Sequence, residues 1–402
     1  MLSKRFKSIY ITVLFAFCTQ ITFSAEKAKS MKVLIDDVFT FAQKQYTPFA
    51  KQVYNLDGRV PRSTDANGNL VTSDISWWTS GFFPGSLWYL YEYSKDSTML
   101  NYAQKFSKRI ESEKFNTNNH DVGFMLYCSF GNGYRITNNQ TYPGIIMTAS
   151  NSLLTRYRPE IKSIQSWDKS EFYNCPVIID NMMNLEMLFW ASKFSNDPKY
   201  REVAINHAIS TIKNHFRKDY SSYHLIDYDL TDGHIIKKVT NQGCADASAW
   251  ARGQAWGLYG FTVCYRETKD KRYLAQANNI AKFILNHPNL PKDKIPYWDF
   301  NAPKIPNEPR DASSAAIIAS ALIELSGYVG KQDAITYRSA AEKILRSLAS
   351  SNYLAKQGTN GGFLLMHNVG NMPKKYEIDS ALCYADYYFL EALLRYKAKY
   401  IK

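Results

Sequence analysis

The 402 residues are 45% hydrophobic and 21% charged, with no extended low-complexity tract, which excludes a disordered chain and leaves ample material for a large core. The formal charge of +13 suits an anionic partner but does not by itself separate a nucleic acid from an acidic glycan; the basic residues form no compact Lys/Arg block, and that argues against nucleic acid. The six cysteines include no CxxC pair, so neither a disulfide framework nor a zinc site is expected.

In chain order, the first element is a targeting segment. Lys4, Arg5 and Lys7 precede an apolar run at 9–17, and the small residues Ser24 and Ala25 follow. This is the pattern of a secretory signal cleaved near Ala25, with the mature protein passing the inner membrane to a periplasmic location. The apolar run is short for a bilayer span. Cys18 keeps a lipid anchor open, although bulky Phe17 stands where a small residue is usual. Residues 26–402 are expected to form a single catalytic domain.

The remainder alternates between two kinds of predicted helix. Amphipathic ones fall at 29–50, 97–114, 143–156, 197–215, 271–287 and 333–350. In the last, Ala334, Tyr337, Ala340, Ala341, Ile344 and Leu345 recur at helical spacing, while Arg338, Glu342, Lys343 and Arg346 fill the other face. Between them come helices that are apolar or aromatic all round, at 81–94, 121–134, 180–195, 249–266, 312–327 and 380–397. A helix without a polar face is buried on most sides. The order is thus outer, inner, six times over, which predicts an all-α (α/α)6 toroid of twelve helices. An α-solenoid is the alternative, but it calls for a polar capping repeat that the C-terminus lacks. Strands are expected only as connectors, with one hairpin at 223–236 turning on Thr231, Asp232 and Gly233.

Chemistry-bearing residues collect where the inner helices begin. The stretches are Trp77-Trp78-Thr79-Ser80-Gly81, His120-Asp121-Val122-Gly123-Phe124, Ile179-Asp180-Asn181-Met182-Met183-Asn184, Trp250-Ala251-Arg252-Gly253-Gln254-Ala255-Trp256, Arg310-Asp311-Ala312 and Ile378-Asp379-Ser380. In a double ring these N-termini converge on one mouth, bringing aromatics, carboxylates, amides and an arginine into one cleft. Aromatic faces stack on sugar rings, and planar polar groups bind hydroxyls and carboxylates. Asp is also a favoured N-cap, so each of the four could simply accept orphan helix N–H groups. The company of His120 and of a crowded apolar segment singles out Asp121 and Asp180 for chemistry; Asp311 and Asp379 read as structural. Tyr384, Tyr387 and Tyr388 read as core packing. The chain has no HExxH, no DxDxDG loop, no GxSxG elbow and no phosphate or dinucleotide fingerprint.

Taken together, these stretches and Gly131-Asn132-Gly133-Tyr134-Arg135 resemble glycoside hydrolase family 88, the unsaturated glucuronyl hydrolases, from Trp78 to about Tyr396. The resemblance implies the (α/α)6 fold and an unusual reaction: hydration of the C4=C5 double bond of a non-reducing 4,5-unsaturated uronic acid, the sugar that polysaccharide lyases leave behind. It implies that Asp180 is the general acid/base and Asp121 the assisting carboxylate. It further implies that Trp78, His120, Trp167, His224, Gln242, Arg252 and Trp256 bind the substrate, an acidic and possibly sulfated oligosaccharide, with neither a metal nor an organic cofactor. Arg252 has two readings: a charge-assisted clamp on the uronate, or the partner of a structural Asp. The alternatives are an unsaturated rhamnogalacturonyl hydrolase acting on pectin fragments, a sugar epimerase of similar fold, and a non-catalytic glycan-binding protein. Epimerases of that fold rely on paired histidines, which these seven His do not supply.

Overall fold

The computed structural model describes residues 29–401, so the predicted signal segment and Cys18 lie outside the described residues. Ser30 caps α1 (Met31–Gln52), whose inward stripe includes Ile35, Phe39, Ala42, Tyr46 and Phe49. A hairpin of β1 (Arg59–Thr64) and β2 (Leu70–Asp74) leads to α2 (Phe82–Ser94) and α3 (Ser97–Arg109). The second inner element is a π-helix, Gly123–Gly131, running directly into α4 (Asn132–Thr137), and α5 (Tyr142–Leu154) follows. Strands β3 (Tyr157–Arg158) and β4 (Ser163–Ile164) pair with each other. Next come β5 (Pro176–Ile178), a 3₁₀ segment at Ile179–Asn184, α6 (Leu185–Ser195) and α7 (Pro198–His215). Strands β6 (Leu225–Tyr228) and β7 (Ile235–Val239) complete a three-stranded antiparallel sheet with β5. Helices α8 (Ala251–Thr268), α9 (Lys271–Asn286), α10 (Ala312–Leu325) and α11 (Lys331–Leu348) precede a hairpin of β8 (Asn368–Asn371) and β9 (Tyr376–Ser380), and α12 (Cys383–Tyr400) closes the chain.

The inner ring is closed. Helix α2 packs on the π-helix, which packs on the 3₁₀ segment and α6; these pack on α8, α8 on α10, α10 on α12, and α12 returns to α2. The odd-numbered helices pack around it, and the whole is an (α/α)6 toroid. Closure removes the open ends that a solenoid would have to cap. Ring interiors account for the all-round burial seen in the sequence: nearly every residue of α8 through Cys264 and of α10 is buried.

The two faces of the ring differ. At one face three inner helices end in a single left-handed residue, Lys95, Asn196 or Lys269, and the following Asp96, Asp197 or Asp270 caps the next outer helix. Such a two-residue link folds the chain straight back and adds no loop to that face. At the other face the connections from outer to inner helices are long and carry every β-strand. The strands are more numerous than the single predicted hairpin: nine, in four small sheets, among the described residues. No helix among the described residues is long and apolar enough to cross a membrane.

Candidate active site

The long-loop face holds a cavity of about 240 Å³. Six residues expected to bind or react line it: Trp78, His120, Asp121, Trp167, Asp180 and Gln242. Each is positioned by identifiable bonds. Asp180 lies in the 3₁₀ segment, directly after β5, where Ile179 N–H donates to the His224 carbonyl at 3.0 Å. No side chain caps the helix that follows, so Asp180 is not the N-cap its position allowed. It is buried, and its Oδ2 makes no hydrogen bond among the described residues.

His224 faces that free oxygen, Nε2 to Oδ2, at 3.6 Å. Its Nδ1 accepts from the backbone N–H groups of Asn241 and Gln242 at 3.0 and 3.1 Å. An imidazole nitrogen that accepts carries no proton, so in the neutral ring the proton is on Nε2, aimed at Asp180. The ring lies against Trp250, centroids 4.6 Å apart. With its side chain fully buried, His224 stands behind Asp180 rather than on the cavity wall.

Asp121 sits one turn before the π-helix; its backbone carbonyl starts that turn by accepting from Met125 N–H at 3.0 Å, while its carboxylate caps nothing. A π-turn inserted into an inner helix is a departure from α-geometry typical of functional sites. His120 Nε2 lies 3.3 Å from Asp121 Oδ1. Burial pushes the Asp121 carboxyl up; the neighbouring His120 pulls the other way, and the charge of Asp180 adds to the rise. The two carboxylate segments are tied together by Asn184, whose Oδ1 accepts from Phe124 N–H at 3.1 Å.

Trp167 is held by a pinned loop. Its backbone bridges to Asn119, His120 N–H donates to the Ser166 carbonyl, and the Ser166 hydroxyl accepts from Ile178 N–H at 3.0 Å. Buried Arg156 braces the loop by donating to the carbonyls of Gln165 and Thr117. Trp78 packs edge-on against Phe124 and tilted against Tyr384, centroids 5.5 and 5.0 Å away. Gln242 donates through Nε2 to the Gly370 carbonyl at 3.0 Å, tying its loop to β8.

Two expected binders sit elsewhere. Arg252 is 1% exposed and spends its guanidinium on Asp311 at 3.1 Å and on the carbonyls of Val369 and Gly370 at 2.6 and 2.7 Å. Of its two readings, the geometry is that of a structural pair which anchors the β8–β9 hairpin over the inner ring. Asp311 is the structural cap expected, accepting from Ser313 N–H. Trp256 is fully buried between Phe124 and Tyr388, one helical turn below the cavity. Asp379 is no helix cap either: it lies in β9, with His367 Nδ1 2.6 Å from its Oδ1.

The sequence reading also missed one wall. Asn371, Lys374, Tyr376 and Glu377 line the cavity from the β8–β9 hairpin, and Tyr384 joins them from the first turn of α12. Those hairpin residues belong to no helix start; β9 ends at Ser380, where the predicted helix 380–397 begins, and the helix itself starts at Cys383. Among the described residues no group of three His, Cys, Asp or Glu side chains is placed to hold a metal ion.

What this arrangement can do follows from its parts. A buried carboxyl with a free oxygen, faced by an imidazole nitrogen at 3.6 Å, can give and retake a proton. A second, half-buried carboxyl beside it, between tryptophan walls, can hold a sugar ring against it. The family model for glycosyl hydrolase family 88 matches residues 54–389. The chain is 49% identical to an unsaturated glucuronyl hydrolase of Formosa agariphila, over 79% of each chain. It is 34% identical to an unsaturated chondroitin disaccharide hydrolase of Streptococcus agalactiae, over 86% of this chain and 89% of that one. A solved unsaturated glucuronyl hydrolase specific for heparin superposes with a TM-score of 0.88 at 46% identity, covering 91% of this chain and 98% of the other.

Proposed function

Because the chain belongs to glycosyl hydrolase family 88, we propose that its cavity hydrates the C4=C5 double bond of a 4,5-unsaturated uronic acid at the non-reducing end of a lyase-generated glycosaminoglycan fragment. The enzyme is a glycosidase that releases the unsaturated sugar from an acidic oligosaccharide. The observation that carries the roles of its residues is the free, buried Oδ2 of Asp180, faced by the Nε2–H of His224 and neighboured by Asp121.

Asp180 protonates C4 of the vinyl ether, and positive charge develops at C5 and the ring oxygen. Water adds at C5 and returns its proton to the ionised Asp180, so one carboxyl serves as acid and then as base. The C5 hemiketal opens to a ketone, which leaves C1 as a hemiacetal that expels the second sugar. His224 stands behind Asp180, its Nε2 3.6 Å from Oδ2, near enough to favour the ionised carboxylate between the two steps. Asp121, whose carboxyl burial pushes up, contacts the sugar beside it. Trp78 and Trp167 supply faces for the ring, His120 and Gln242 polar contacts. A sulfated fragment of heparin type fits best: Lys374 is the Lys or Arg among the cavity's lining residues, it is exposed, and the 46%-identical solved relative acts on heparin. The basic leader, apolar run and small residues at Ser24 and Ala25 support export to the periplasm.

Turnover in heavy water followed by NMR tests the reaction. Hydration places one deuteron at C4 of the released sugar and abolishes the ultraviolet absorbance of the double bond. A released sugar that keeps its double bond would mean ordinary glycoside hydrolysis at C1 and would overturn the proposal.

A further inference from the structure

Trp77, Arg62 and Glu377 form one assembly on the rim of the catalytic cavity, and none of them has a role in the reaction described above. Trp77 and Glu377 line the cavity. Arg62, on β1, lies with its guanidinium carbon 4.2 Å from the centroid of the Trp77 ring and 5.6 Å from that of Tyr376. Its Nε donates to Glu377 at 2.6 Å, with the two side chains only 21% and 12% exposed. The cation is therefore neutralised, largely dry and fixed against one face of the indole, where the ring quadrupole attracts it. The backbone that delivers Glu377 is strained: Lys375, Glu377 and Asp379 have φ of 55°, 52° and 55°, a region that residues with a side chain avoid. Strain of this kind persists where the surroundings over-determine it, typically around ligand sites. Finally, the Nε1 of Trp77 is buried and has no acceptor among the described residues. A buried indole N–H without a partner is costly, and a bound ligand would supply the acceptor.

We propose that Trp77, clamped from behind by Arg62 and Glu377, is the specificity-determining wall for the second sugar, the one expelled when the unsaturated residue leaves. This rests on the reading of the cavity as a site for an unsaturated uronyl disaccharide. The unsaturated ring has to reach Asp180 and Asp121, on the side where Trp78 packs into the core against Phe82, Phe124 and Tyr384. The second ring then points outward, towards the exposed Lys374 and the hairpin that carries Glu377. An indole already immobilised presents its edge and its N–H without paying for side-chain ordering on binding. Trp77 donates from Nε1 to an oxygen of the second sugar; Arg62, which does not line the cavity, touches no substrate and is a positioning residue, held by Glu377.

Paired kinetics test this, with a lyase-generated unsaturated disaccharide and an unsaturated glucuronyl fluoride, which carries the same reacting ring and no second sugar. Trp77→Ala is expected to raise KM for the disaccharide about ten-fold while changing the fluoride reaction about two-fold at most. Arg62→Ala is expected to move the disaccharide KM in the same direction by about three-fold, with Arg62→Lys recovering part of that loss. Should Trp77→Ala fail to fold by circular dichroism, Trp77→Phe carries the comparison, since it keeps a ring against Arg62 and removes the N–H. Equal losses on both substrates, or no loss on either, would overturn the proposal. Wild-type enzyme that leaves both substrates intact would instead overturn the reading of the cavity beneath it.

Discussion

At the scale of single residues, the reactive arrangement depends on where protons are held. His224 could point either nitrogen at Asp180, and two backbone N–H groups on Nδ1 decide which. Replacing such an orienting group costs about 10- to 100-fold where it serves a reactive ligand. His224→Ala is therefore expected to lower kcat/KM about 100-fold, mostly in kcat, with thermal stability close to wild type. Steady-state kinetics and a melting curve check this, and a change confined to KM would place His224 in substrate binding instead. That Asp121 and Asp180 would share one cavity and Asp311 would serve as a helix cap was legible from the sequence, since their surroundings differ. That Arg252 would be consumed by Asp311 and two carbonyls was left open, because those partners lie 59 to 118 residues away along the chain. Trp256 shares a motif with Arg252, yet its position one turn further along α8 turns it into the core.

At the scale of elements, the fold rests on two devices. One is the tight link in which a left-handed residue is followed by a capping Asp, as at Lys95-Asp96, Asn196-Asp197 and Lys269-Asp270. The hydrophobic pattern made all twelve helices legible from the chain. The π-helix and the 3₁₀ segment were not, because hydrophobic periodicity over one or two turns does not separate them from an α-helix. The β8–β9 hairpin was missed for a different reason: its pairing is fixed by contacts with Arg252 and Gln242, not by its own composition. The other device is the joint between the two carboxylate segments. A Cβ at Gly123 would come within 2.5 Å of Asn184 Oδ1 and 2.8 Å of its Cα. Gly123→Ala must push the π-helix off the 3₁₀ segment, and overpacking of this kind costs about 1–3 kcal/mol. The expected result is a melting temperature several degrees lower together with a loss of activity larger than the stability change alone explains. Helix α12 carries a further consequence. Asp386 is fully buried, accepting from Tyr46 Oη and from Leu364 and Leu365 N–H. Burial outweighs these donors and pushes its carboxyl up to about 7. The folded protein thus holds this proton more tightly than the unfolded chain. The stability it contributes is complete below the ordinary carboxyl range, near 3.8, and is lost as pH rises through about 7. The loss is about 4 kcal/mol at 1.36 kcal/mol per unit. Asp386→Asn, which cannot ionise, is expected to flatten the fall in melting temperature between the ordinary carboxyl range, near 3.8, and about pH 7; an unchanged slope there would contradict this.

At the scale of the whole molecule, closing twelve helices into a ring separates stability from chemistry. One face is stitched by two-residue links, and the other is freed to carry long loops, small sheets and the cavity. The inner ring is stiff enough to hold two carboxylates together although they come from different hairpins. The chain also carries a formal charge of +13, and its substrate is an anion. Long-range attraction should raise the encounter rate, and salt should screen it over about 10 Å at 0.1 M. Raising ionic strength is therefore expected to lower kcat/KM about three- to ten-fold, chiefly through KM, with kcat little changed. A rate independent of salt would mean that local contacts alone capture the substrate.

Asp180 delivers the proton to the double bond, and Asp180→Asn tests this most directly, since the side chain keeps its size and loses its acidic proton. Measured by the disappearance of the double-bond absorbance of an unsaturated glucuronyl disaccharide, the variant is expected to melt like wild type and to turn over at least about 1,000-fold more slowly, within the range that a positioned acid/base contributes. Turnover within a few-fold of wild type would assign that proton to another group.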